Sequence, residues 1–157
     1  MRRSENSKSV RPLVALAFMS MVFAGLLARA DAFVPGKIEV LEGPGGEKLT
    51  VIHAKPMDKN QALIRFENTG SDWDGKIIFH EVQEVGRGKY DYVAMAADGM
   101  PWRSLLVRTG LNGNSSMELW VKGIKDPIKV SFDKKDTETA MDKVQNLVNE
   151  YEKSVKK

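Results

Sequence analysis

The stretch MELWVKGIKDPIKVSF, Met117 to Phe132, decides how the rest of the chain is read. Met117, Leu119 and Val121 alternate with Glu118, Trp120 and Lys122. After the turn GIKDP, Ile128, Val130 and Phe132 alternate with Lys129 and Ser131. A period of two sends successive side chains to opposite faces of a strand. Two such strands joined by a short turn are antiparallel neighbours. Trp120 falls on the face opposite Met117 and Leu119.

Upstream, the same grammar repeats. Short apolar runs separated by turn signals predict strands at 37–42, 47–55, 61–68, 76–85, 89–97, 101–109, 115–122 and 127–132. Gly86-Arg87-Gly88, Asp98-Gly99 and Asn112-Gly113 are hairpin chemistry, because Gly and Asn reach positive φ cheaply. Three runs, ALIRF (62–66), KIIFHEV (76–82) and SLLV (104–107), are apolar on both faces. Such strands are covered on both sides, so a second layer is needed.

DTETAMDKVQNLVNEYEKSVKK, 136–157, supplies that layer. Ala140, Met141, Val144, Leu147, Val148, Tyr151 and Val155 recur at spacings of three and four, the stripe of an amphipathic helix. Asp136 is placed to cap its start. The expected fold is mainly β: an antiparallel meander of about seven or eight strands, closed as a barrel or stacked as a sandwich. One C-terminal amphipathic helix packs on it. The meander resembles lipocalin-like barrels in general plan; its first strand carries no Gly-x-Trp signature, and no family is assigned.

The first residues read differently. Arg2, Arg3, Lys8 and Arg11 precede an uncharged run from Pro12 to Ala28, and Ala30-Asp31-Ala32 is a small-x-small ending. This is the pattern of a secretory leader cleaved after Ala32. No cysteine follows the run to take a lipid anchor. Residues 1–32 are expected to be removed, leaving one domain over 33–157, with strands in 33–132 and the helix in 136–155. The expected location is the bacterial periplasm or the medium, with no membrane anchor after cleavage.

Export changes the charge argument. The leader holds five basic residues and two acids of the chain's 24 and 21, so the remainder carries nineteen of each. A nucleic-acid binder presents a basic face, and this balance argues against one. The chain has no cysteine, which removes thiol catalysis, thiolate metal sites and disulfide staples. A domain of this length buries a core without them.

In a meander, alternate turns emerge at one end. The connections at 69–75, 98–100 and 123–127 are therefore expected to cluster. That end gathers Trp73, Asp72, Asp74, Met100, Trp102 and Arg103, the residues expected to bind. A tryptophan in a polar turn is either a recognition anchor or a plug for the open end of the core.

Other chemistry finds little support. Asp72, Asp74 and Gly75 open like a calcium loop, but the later ligands are missing. His53 and His80 lie mid-strand and reach a common metal only if the strands join them. No G-x-S-x-G, H-E-x-x-H or P-loop pattern occurs. No cofactor or metal is expected. The expectation is a non-enzymatic binding module acting on a protein or envelope polymer, of inhibitor, immunity or assembly-accessory type. One alternative is a carrier closed around a small apolar ligand, with room left by Ala94, Ala96 and Ala97. Another is an envelope hydrolase.

Overall fold

Among the described residues, eight strands run in chain order: β1 (Pro35–Glu42), β2 (Lys48–Ala54), β3 (Gln61–Glu67), β4 (Ile77–Gly86), β5 (Lys89–Met95), β6 (Pro101–Thr109), β7 (Ser115–Leu119) and β8 (Ile128–Phe132). Two helices follow, α1 (Lys134–Met141) and α2 (Val144–Val155). The structure, a computed structural model, describes residues 32–57 and 60–156. The leader expected at 1–32 lies outside them except for Ala32. No helix among the described residues is long and apolar enough to cross a membrane.

Each strand pairs antiparallel with the next, and β1 returns to β8, closing a barrel. Of the two expected architectures, the barrel is the one formed. The closing seam is short: Leu41 faces Phe132 and Glu42 faces Ser131. Beyond it the helical layer takes over. The Asp133 amide donates to Val40 O, and the Val40 amide donates to Thr137 Oγ1 at 2.8 Å.

The doubly apolar strands explain the two layers. Inward-facing Leu49, Ile64, Phe66, Leu105 and Leu119 fill the barrel. On the outside, Ile38, Ile52, Leu63 and Ile77 form a second core beneath Val148 of α2, joined by Phe79, Leu147 and Tyr151. Each such side chain taken out of water contributes roughly 1.5–3 kcal/mol. SLLV is apolar on both faces for another reason. Tyr92 faces Leu105 and Val93 faces Arg103, so Ser104 is an extra residue, a bulge that breaks the alternation.

The helical segment differs from expectation in three ways. Its cap is Asp133, whose carboxylate accepts the Asp136 amide at 2.7 Å. Asp136 instead pairs with Lys48. The helix is also broken at Asp142 and Lys143, where the Lys143 amide bonds Ala140 O in a tight turn. One half is pinned to the β1 edge through Thr137 and the other buries Val148 across β1 to β4, and one straight rod cannot follow the curved wall to both. Finally, Met141 and Val155 are 58% and 61% exposed and leave the apolar stripe.

Turn chemistry follows the sequence. Gly88 adopts φ +68°, and a Cβ there would sit 3.0 Å from Thr109 O, so both conformation and space demand glycine.

Candidate functional site

The loop from Asn68 to Lys76 is built around Asp74. One carboxylate oxygen accepts the Thr69 amide at 2.8 Å and the Thr69 hydroxyl; the other accepts the Gly70 amide at 2.9 Å. Burial alone would raise this carboxyl, but bonds from Thr69, Gly70 and Ser71 outweigh it and hold it below its usual range. Asp74 is therefore committed to folding its own loop, and exposed Asp72 is left without it as a metal partner. Among the described residues no three His, Asp or Glu side chains are grouped to hold a metal ion.

That loop sets Trp73 over the barrel end. Its ring lies 5.2 Å from Phe66 and meets the His80 ring edge-on at 5.9 Å. Trp73 thus closes the core. It also forms a wall of a cavity at the same mouth.

The cavity has a volume of about 140 Å³ and touches all three tryptophans of the chain, Trp73, Trp102 and Trp120. Trp102 enters β6 beside the Asp98 turn, and its indole N–H donates to Trp120 O at 3.0 Å. Trp120 follows β7 directly, and its amide donates to Ser104 O at 2.7 Å, across the bulge. Phe66, Leu119 and Val121 give the floor an apolar character, and Ala96 and Ala97 leave the space open. Asp72 and Lys122 supply the polar border, with Lys122 paired to Asp98. Pockets for drug-sized ligands begin near 300 Å³. This one is sized for a single side chain or a small group.

The predicted site residues divide. Asp72, Trp73 and Trp102 meet in this cavity. Asp74 is exposed and engages its carboxylate with Thr69 and Gly70 within the loop. Met100 stands at the turn tip, 63% exposed, its amide bonded to Asp98. Arg103 faces away from the cavity and pairs with Asp91, which also holds Arg108 at 2.5 Å. Trp120 was missed because strict alternation puts it on the outer face. The strand ends at Leu119, one residue short, and nearness to the 123–127 connection was the available signal.

The two histidines do not share a site. Ala62 of β3 stands opposite both in the ladder, between His53 of β2 and His80 of β4. His80 Nδ1 is 2.9 Å from Ile78 O, which can only accept, so that nitrogen carries the proton. Nε2 then accepts from the Ser104 hydroxyl at 2.7 Å. A hydroxyl donating to an imidazole is a nucleophile–base geometry, yet both residues are 0% exposed. Burial lowers the ring's pKa to about 4, the Ile78 bond acting in the opposite sense. The pair is a sealed polar bridge in the barrel core. Comparisons with models of known protein families, with curated proteins and with solved structures give no match to this chain.

Proposed function

We propose that this chain is an exported binding module that docks one apolar side chain of a protein or envelope-polymer partner at its three-indole mouth. The observation that carries the reading is that all three tryptophans converge on one small cavity with an apolar floor. Indoles bury large area at little rotamer cost, and anchors of this kind dominate binding energy at interfaces. Exposed Met95 at the end of β5, and Met100 and Ile124 on the neighbouring turns, would widen the contact. The cavity opens at the mouth, while Leu49, Phe66, Tyr92 and Leu105 occupy the barrel axis. That favours docking over a carrier enclosing its ligand. The sealing of Ser104 and His80 likewise gives a hydrolase no accessible nucleophile there. The basic-then-apolar leader supports export, and intact-mass measurement of the mature chain should place its first residue at Phe33.

The test fills the cavity without touching the core. Ala97 is exposed and lines the cavity. A stoichiometric partner recovered from the envelope or secreted fraction should be retained by the native chain and lost with Ala97→Leu, at unchanged melting temperature. Equal retention by both would end the reading.

A further inference from the structure

The opposite mouth of the barrel carries a second, polar site. The inward series of β1 continues from Leu41 to Glu39 and Lys37, and that of β2 from Val51 to His53. Tyr90 and Tyr92 face them from β5. These groups line a cavity of about 340 Å³, within the range of small-molecule sites.

Both oxygens of the Glu39 carboxylate are engaged. One lies 2.7 Å from the Lys37 ammonium, and the other accepts from His53 Nε2 at 3.2 Å. Burial alone would raise this carboxyl; the bonds from His53 and Lys37 outweigh it, so the group stays charged inside the mouth. The two partners differ in kind. His53 is buried, with its ring edge-on to Tyr92 at 6.0 Å. The Lys37 side chain is 59% exposed and rides on a flexible stem. An exposed lysine contact of this sort is weak and easily exchanged. Tyr92 is only 6% exposed, yet its hydroxyl bonds no described residue, although it belongs to the cavity wall. The hydroxyl is not sealed from solvent, so the phenol oxygen can accept from a donor that enters the cavity.

We propose that this mouth binds an aliphatic primary ammonium group, which displaces Lys37 from Glu39 and donates to the Tyr92 hydroxyl. Lys37 is the internal stand-in: its ammonium already shows that the carboxylate accepts this geometry. Tyr90 and Val82 offer apolar surface for the methylenes attached to the incoming ammonium. Glu84 adds a second negative charge at the border. The ammonium could come from a free diamine or from a lysine side chain of another protein, since the chemistry is shared. The site is independent of the tryptophan mouth and of any partner there.

Calorimetric titration with 1,5-diaminopentane and with N-acetyl-lysine amide tests the proposal, with methyl glucoside as the uncharged comparison. At least one amine should bind the full chain, and the tighter of the two identifies the source. Glu39→Gln should weaken that binding by about tenfold or more. Lys37→Met should tighten it several-fold, because the internal competitor is gone. If Glu39→Gln does not fold, the Lys37→Met comparison still decides. Amine binding absent from the native chain and from Lys37→Met, or no tighter in Lys37→Met, overturns the proposal. So does binding of the glucoside in place of the amines.

Discussion

The indole nitrogen of Trp102 donates a 3.0 Å hydrogen bond to the backbone carbonyl of Trp120, tying the start of β6 to the end of β7. The bond fixes the two rings relative to one another and so sets the shape of the cavity between them. Trp102→Phe keeps most of the apolar area but removes the donor. It should cost about 1 kcal/mol in urea denaturation and weaken partner binding more than its stability loss implies. A variant with full binding would show that ring placement is unimportant.

Trp73 serves the core as well as the cavity. Trp73→Ala strips its contacts with Phe66 and His80. Because the ring is half-buried, the cost should fall near the low end for such truncations, about 3 kcal/mol. A urea midpoint unchanged from the native chain would mean that the indole does not seal the barrel.

Asp74 holds its loop without a metal. Asp74→Ala should destabilise the chain by about 1–2 kcal/mol, as loss of a charged acceptor from several donors does. Adding calcium or a chelator should leave the melting temperature of the native chain where it was. A calcium-dependent rise would reverse this account.

His80 makes stability depend on acid. Its ordinary value is 6.5, and burial lowers it to about 4 in the fold. The unfolded chain therefore takes up the proton first as pH falls. The contribution is complete above pH 6.5 and is lost between there and about 4, a change of roughly 3 kcal/mol. Glu39 and Asp74, also held low, lose stability in the same direction at still lower pH. Urea midpoints for the native chain and for His80→Gln, compared near neutral pH and at about pH 4.5, isolate the histidine. The gap between the two proteins should narrow in acid. A constant gap would mean that the ring takes up its proton equally well in the folded and unfolded chains.

Most of the architecture was legible because it rests on local signals. Alternation at Met117–Val121 and Ile128–Phe132, and the Gly and Asn turns, are short-range facts, and eight strands follow from them. The need for a covering layer could be read from ALIRF and KIIFHEV, whose outer residues do lie under α2. Closure was not legible, because pairing Leu41 with Phe132 depends on the sum of twist over eight strands rather than on either residue. The Ser104 bulge was hidden for a related reason. An extra residue shows only against its partner strand, and SLLV by itself reads as a strand buried on both sides. The cap at Asp133 lost out to Asp136 because both are acids at a helix start, and only the pull of Lys48 on Asp136 separates them.

The site was half legible. The turns that would meet could be counted along the meander, and this brought Trp73 and Trp102 to one end. Which side chains face the cavity depends on where each strand stops. Trp120 escaped for that reason, while Arg103, one residue from Trp102, reaches Asp91 and not the cavity.

The two-pair seam between β1 and β8 makes α1 the latch of the barrel. Asp133 and Thr137 grip Val40 just where the ladder runs out. Tension applied between β1 and the C-terminal helices would load those few bonds one after another, as a zipper is loaded, rather than shearing a whole ladder at once. The molecule should therefore open mechanically along this line first, swinging the helices away while the remaining strands stay joined.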